Sequence, residues 1–363
     1  RVRELRCSHP SVSSQPGSRI PETPSRNDPV CWGQSIDASS GDVRTVLKQA
    51  DLALHEARRL GRGGWAMFSR ALELEADTKL RIDSDIREAL SRHELQLVYQ
   101  PQVDAHSRQL VGFEALLRWE HSVYGTIPPS EFISIAEENG TIVGIGEWII
   151  RTAVAAAARL PEAIKMAINI SPLQMNSPQL VSTLINAAAT NRVDPKRIDL
   201  EITESALMSD TGAVLERLKQ LRDFGFSISL DDFGTGYSSL TYLKMFPFNK
   251  IKIDQNFVRG LENESDIENR AIIESVLTLA RLMGLRTVAE GVETDFQADF
   301  LRDLGCNDLQ GFLISKPCRL EACGLIIADS AMKDDACTRT LHQQADRVRL
   351  LKFEKTNEDG IAV

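Results

Sequence analysis

Four separate stretches of the chain approach an acidic residue in the same way. They are I-D-L-E at Ile198–Glu201, I-S-L-D at Ile228–Asp231, I-K-I-D at Ile251–Asp254 and T-V-A-E at Thr287–Glu290. A fifth, Ala167–Asn169, ends on an amide. Carboxylate and amide oxygens are the hard donors that Mg2+ and Mn2+ take. Acids on successive strands, brought close together, need cations between them. A scatter of solvated strand ends is the alternative. The second of these runs continues as S-I-S-L-D-D-F-G-T-G-Y-S-S-L over Ser227–Leu240. It adds a second acid, Asp232, and a loop made pliable by Gly234 and Gly236. Paired acids before such a loop suit a divalent-metal site under a moving lid. A hydrated turn is the plainer alternative, since Asp and Gly are ordinary turn residues.

This chemistry needs strands whose ends meet. Short apolar runs predict strands at Leu95–Val103, Leu110–Trp119, Lys165–Ile170, Ile198–Thr203, Phe226–Asp231, Lys250–Asp254, Arg286–Glu290 and about Asp308–Gly311. Amphipathic helix faces lie between them, such as Ile145, Trp148, Ile149 and Ala153. The alternation predicts an α/β protein of parallel βα units, and about eight strands favour a closed (β/α)8 barrel over an open sheet. In such a barrel the C-terminal strand ends share one rim. That rim would gather Asn169, Glu201, Asp231, Asp254 and Glu290. Alternation puts Lys252 on the face of Asp254, with Ile251 and Ile253 toward the helices. A structural ion pair with Asp254 is the alternative role for Lys252.

Composition narrows the classes. The 363 residues are 42% hydrophobic and 26% charged, with a net charge of −9. That argues against a binder of nucleic-acid polymers or membrane surfaces. A small anionic ligand stays open, because bound metals reverse the charge of a site. No apolar run has the length of a membrane span, and no signal-peptide pattern is present. Six cysteines without a C-x-x-C pair fit reduced thiols and a cytoplasmic location. The histidines do not cluster as a zinc site would require.

The chain divides into segments. Residues 1–40 have no assignable element and are expected to be disordered. A helix is predicted at Val43–Arg59, with Leu47, Ala50, Leu54 and Ala57 on one face, then a strand at Trp65–Ser69. A connector helix covers 71–92, the barrel 93–325, and a polar tail 326–363.

Glu114-Ala115-Leu116 with Leu117-Arg118-Trp119 resembles the tripeptide that names the EAL domains, bacterial phosphodiesterases of cyclic di-GMP. The resemblance spans about residues 80–325. It takes in Tyr99-Gln100-Pro101, Asn169–Ser171, Glu201–Glu204, the D-D-F-G-T-G-Y-S-S-L run, Lys252–Asp254, Ala289–Glu293, Gln310–Phe312 and Ser315–Pro317. It implies a TIM-type barrel whose first strand runs against the others, and hydrolysis of cyclic di-GMP to pGpG with two Mg2+ or Mn2+ ions. By motif position it implies Glu114, Asn169, Glu201, Asp231, Asp232 and Glu290 as metal ligands. Lys252 would position or deprotonate the attacking water, with Gln310 close to that water or to the ligands. Glu204 would stand behind the ligands and hold the Asp232–Ser239 loop. Gln100 would contact guanine and Arg118 phosphate, with Asp254, Glu293 and Pro317 on the substrate side. Phe312 stands where Tyr is commoner. A barrel that binds cyclic di-GMP without cleaving it is the alternative, but such receptors usually lack ligands that this chain keeps. Two copies are expected to associate through the barrel. Ala50–Ala57 followed by Gly61-Arg62 resembles the end of a GGDEF diguanylate cyclase domain, which makes 41–70 a remnant without the loop that names that family.

Overall fold

The structure, a computed structural model, describes residues 3–6, 31–36, 42–59, 65–208, 211–234, 240–262, 267–328 and 330, and every structural statement concerns these. They belong to two units, Arg1–Arg87 and Glu88–Val363.

In the first unit, β1 (Arg3–Arg6) pairs antiparallel with β2 (Cys31–Ile36), and β2 pairs parallel with β3 (Trp65–Met67). Parallel neighbours need a crossover. The helix Val43–Arg59 supplies it and buries Ala50, Ala53 and Ala57. Asp42 caps its start by accepting hydrogen bonds from the Thr45 amide and hydroxyl, both at 2.9 Å. Two strands thus lie where the sequence suggests no element, because Gly33 and the polar Gln34 and Ser35 interrupt the apolar pattern of β2. Leu47 is 62% exposed despite its place on the predicted apolar face. Of the stretch that resembles a cyclase end, Ala50–Ala57 lies within this helix, and Gly61-Arg62 falls outside the described residues. The helix Arg70–Ala89 follows, shorter than the predicted connector. His93 takes left-handed backbone at φ 56° in the turn beyond it.

The second unit holds β4 (Leu95–Asp104), β5 (Leu110–His121), β6 (Gly125–Ile127), β7 (Lys165–Ile170), β8 (Ile198–Thr203), β9 (Ser227–Phe233), β10 (Lys250–Ile253), β11 (Arg286–Ala289) and β12 (Asp308–Gln310). Their order is β4-β12-β11-β10-β9-β8-β7-β5-β6, and a β4–β5 pairing closes the ring with β6 hairpinned onto β5. β4 is antiparallel to both neighbours, and the other ring strands run parallel. This is the expected TIM-type barrel with a reversed first strand. No described helix is long and apolar enough to cross a membrane.

Alternation decides the two faces of each strand. Ile168, Leu200, Ile228, Leu230, Ile251 and Ile253 are buried at 2% exposure or less. Each contributes about 1.5–3 kcal/mol by leaving water. The intervening positions carry polar groups, unlike the apolar layers that usually fill such a barrel. Register brings those groups level. Gln100 stands opposite Glu114, Asn169 opposite Glu201, and Thr203 opposite Asp231.

Candidate active site

Four acids converge on one ammonium. The Lys252 Nζ lies 2.5 Å from Glu290 Oε1, 2.7 Å from Glu201 Oε2, 3.3 Å from Asp231 Oδ1 and 3.7 Å from Glu114 Oε1. Lys252 comes from β10, and the acids come from β5, β8, β9 and the residue after β11. Glu290 is held there by its amide, which donates to the Ile253 carbonyl at 3.1 Å. Lys252 therefore pairs with four acids from four strands rather than with Asp254.

One positive charge cannot neutralise four carboxylates. Burial raises Glu201 well above the usual carboxylate range, and Glu114 and Asp231 add to this against Lys252. Burial pushes Glu290 up to about 8, reinforced by Asp231 and Glu114 and opposed by Lys252. Burial would also raise Glu114, but Lys252 and the Gln310 and Asn169 amides hold it low. Burial alone would lower Lys252, yet the facing acids, Asp231 and Glu114 foremost, keep it well above its ordinary value. Lys252 is a charged donor in this cage.

Amides complete the cluster. Asn169 Nδ2 donates to Glu114 Oε1 at 2.7 Å, and Gln310 Nε2 donates to Glu114 Oε2 at 2.5 Å. Gln310 Nε2 also reaches Gln100 Oε1 at 3.2 Å, and its Oε1 accepts from Gln102 Nε2 at 2.8 Å. One step toward the N-terminal strand ends lies a second polar layer. There Lys250 Nζ pairs with Asp199 Oδ2 at 2.7 Å, and Ser229 Oγ donates to Asp199 Oδ1 at 2.7 Å.

A cavity of about 300 Å³ opens on the cluster, lined there by Glu114, Asp231, Lys252, Glu290 and Gln310. Gln100, Arg118, Glu293 and Pro317 line it as well. Its size is that of a small-molecule site. Asn169 and Glu201 join the cluster through Glu114 and Lys252 without lining the cavity. Asp232 stands beside Asp231 with left-handed backbone at φ 55°. Burial first, then Asp231 and Asp254, push its carboxyl up to about 6. Asp254, predicted on the substrate side, does not line the cavity. Its carboxylate caps the helix Gln255–Arg259 by accepting from the Asn256 amide at 2.9 Å. β10 ends at Ile253, so Asp254 already belongs to the turn into that helix. Gln255 and Arg259 of the same helix do line the cavity, and sequence reasoning passed over both. Their i, i+4 spacing directly after K-I-D was the available signal.

Glu204 opens the short helix after β8, and its Oε1 accepts from the Gly234 amide at 3.3 Å. That is a bond to the start of the loop. Residues 235–239 of the loop lie outside the described residues.

Among the described residues no three His, Cys, Asp or Glu side chains are already spaced around a common ion position. The acids close on Lys252 instead. The donor set nevertheless fits divalent cations: it carries excess negative charge, its ligands are hard oxygens, and Glu201 Oε1 is buried with no hydrogen-bond partner.

Residues 83–317 match the EAL domain family. The bifunctional diguanylate cyclase/cyclic di-GMP phosphodiesterase MucR of Pseudomonas aeruginosa is 42% identical over 290 residues, covering 78% of this chain and 42% of that protein. The solved PaMucR phosphodiesterase in complex with c-di-GMP is 44% identical with a TM-score of 0.63, over 66% of this chain and 98% of that one. The Klebsiella pneumoniae BlrP1 manganese/cy-diGMP complex is 32% identical with a TM-score of 0.55, over 62% of this chain and 56% of that one. The chain spans 34%, 40% and 42% of the length of three curated relatives.

Proposed function

The chain belongs to the EAL domain family, and we propose from that premise that it hydrolyses cyclic di-GMP to pGpG. The observation that carries the reading is the convergence of Glu114, Glu201, Asp231 and Glu290 on Lys252 beside a cavity. Two Mg2+ or Mn2+ ions, held by these acids with Asn169 and Asp232, would neutralise phosphate oxygens and acidify the attacking water.

The chain's own groups do the rest. Lys252, kept charged by its acids, donates toward the attacking water and holds it in place. Gln310 fixes the Glu114 carboxylate through its 2.5 Å bond and connects it to Gln100. Arg118 presents a guanidinium in the cavity, a shape suited to a phosphodiester. Gln100, Glu293 and Pro317 form further walls for the bases. Glu204 ties the loop after Asp232 through Gly234. Asp254 acts indirectly, by starting the helix that brings Gln255 and Arg259 to the cavity. Two copies associate through the barrel.

The test is release of pGpG from cyclic di-GMP by the purified chain, with and without EDTA. Turnover that EDTA abolishes and Mg2+ or Mn2+ restores is expected. Tight binding without cleavage in either metal would make the chain a receptor.

A further inference from the structure

Cys318 directly follows Pro317 of the cavity wall, and neither it nor Cys323 has a part in the proposed hydrolysis. Their Sγ atoms are 3.8 Å apart. A disulfide needs about 2.05 Å, so the two sulfurs are already neighbours. Cys318 is half-buried and Cys323 fully buried. Burial, and then the neighbouring Cys318 sulfur, push the Cys323 thiol up to about 12. Cys306, also free, is buried and donates toward the Asp308 carbonyl at 3.3 Å.

The backbone of Cys318 is tied to the cavity wall. Its amide donates to the Tyr99 carbonyl at 2.9 Å, and its carbonyl accepts from the Tyr99 amide at 2.7 Å. Gln100, the next residue, lines the cavity, and its amide reaches the Ser315 carbonyl at 3.4 Å. Pro317, directly before Cys318, lines it too. Cys323 lies in the helical residues 320–328 just beyond.

We propose that Cys318 and Cys323 form a reversible disulfide on exposure to a peroxide, and that this bond shifts the 315–318 rim of the cavity. The second half rests on the reading of that cavity as the cyclic di-GMP site. The thiolate of Cys318, the accessible partner, attacks a peroxide oxygen. An S–O bond forms, the O–O bond breaks, and the departing hydroxide takes a proton to become water. The Cys323 sulfur then attacks the sulfenic sulfur. An S–S bond forms, the S–O bond breaks, and the leaving hydroxide carries off the Cys323 proton as a second water. Two thiols lose two electrons in all, and one peroxide gains them. Drawing the sulfurs together pulls on a residue bonded to Tyr99 on one side and joined to Pro317 on the other.

The test treats the reduced chain with hydrogen peroxide, blocks remaining thiols with iodoacetamide and digests with trypsin. Cleavage after Arg319 separates the two cysteines, so their bond appears as a cross-linked peptide pair that dithiothreitol releases, and fragment-ion sequencing places it on Cys318 rather than on Cys306 of the same peptide. That pair is expected. In Cys323→Ser the sulfenic acid should persist on Cys318 and be trapped by dimedone. Both cysteines alkylated after peroxide, or cross-links formed only elsewhere, would overturn the disulfide. Oxidation should raise the KM for cyclic di-GMP by roughly tenfold with little change in kcat, and Cys323→Ser should lose this response. An unchanged KM in the cross-linked chain overturns the shift of the rim. Loss of all turnover in the reduced chain would strike the proposed function and leave the peptide result to decide the disulfide.

Discussion

The barrel holds two polar layers one step apart, and they are built on opposite principles. In the lower layer charges match. Lys250 pairs with Asp199, Ser229 adds a hydrogen bond, and Arg286 pairs with Asp308 at 2.7 Å. In the upper layer they do not, since four acids share the ammonium of Lys252. The protonation behaviour follows. Burial alone would raise Asp199 and lower Lys250, but each outweighs burial for the other, so Asp199 is held low and Lys250 high. In the upper layer burial and mutual repulsion raise Glu201 and Glu290. A matched buried layer can hold strands in register. An unmatched one costs stability and calls for cations the chain does not supply, which is the mark of a working site.

The sharpest way to break this contrast is to remove an acid from the upper layer. Glu114→Ala or Asp231→Ala should each lower turnover by roughly a thousandfold, about 4 kcal/mol of barrier. Each should leave folding stability the same or higher, because repulsion is relieved. Initial rates across a metal titration, beside urea denaturation, measure both. Near-parent rates at limiting metal would remove the residue from the site.

The matching change below should do the reverse. Lys250→Met strands Asp199 as an unpaired buried charge and should cost about 3–5 kcal/mol of stability. Replacing Asp199 by Leu in the same chain should recover part of that loss. If Lys250→Met denatures at the parent's urea concentration, the lower layer is not the structural element argued here.

The two layers also differ in how legible they are. The upper acids lie within two residues of their strand ends, so one rule of barrel geometry gathers Glu201, Asp231 and Glu290. The lower pair escapes that rule. Asp199 and Lys250 sit on strands that are not adjacent, and alternation names a face without naming a partner. Asp254 shows the converse case. It ends an I-K-I-D run like its counterparts, but the β9–β10 register shifts between Ile251 and Ile253 and its carboxylate accepts from the Asn256 amide. Backbone geometry, not residue type, made it a helix cap. Gln255 and Arg259 then reach the cavity from a five-residue helix, too short to give a clear period.

Cations should sharpen the contrast by satisfying the upper layer alone. Mn2+ at a hundred times its dissociation constant should stabilise the parent by about 2.7 kcal/mol. The gain should vanish in Asp231→Ala and persist, on a lower baseline, in Lys250→Met. Thermal melts over a Mn2+ series provide the measurement. Equal stabilisation of Asp231→Ala would place the ion elsewhere.

The smallest effect is the pH dependence of stability, and it separates the layers without disturbing either. Glu290 has a folded value of about 8 against an ordinary 4.5. Between those values the folded chain keeps a proton that the unfolded chain has lost. The stability that proton brings is fully present below 4.5 and is lost as the pH rises toward 8. The slope is at most about 1.4 kcal/mol per pH unit. Asp232, pushed up to about 6, adds to it in the same direction at the acid end. The lower layer contributes no slope in this window. The stabilisation from Asp199, held low, is lost only as pH falls through its folded value, below the ordinary 3.8. That from Lys250, held high, is lost only as pH rises through its folded value, above the ordinary 10.5. Chemical denaturation of the parent and of Glu290→Gln at intervals from pH 5 to 8 isolates the term. The parent should lose stability with rising pH more steeply than the variant, and saturating Mg2+ should flatten the difference by favouring the ionised acid. Parallel profiles without metal would mean that Glu290 ionises as freely as it does in water, and the upper layer would then not be the unmatched one.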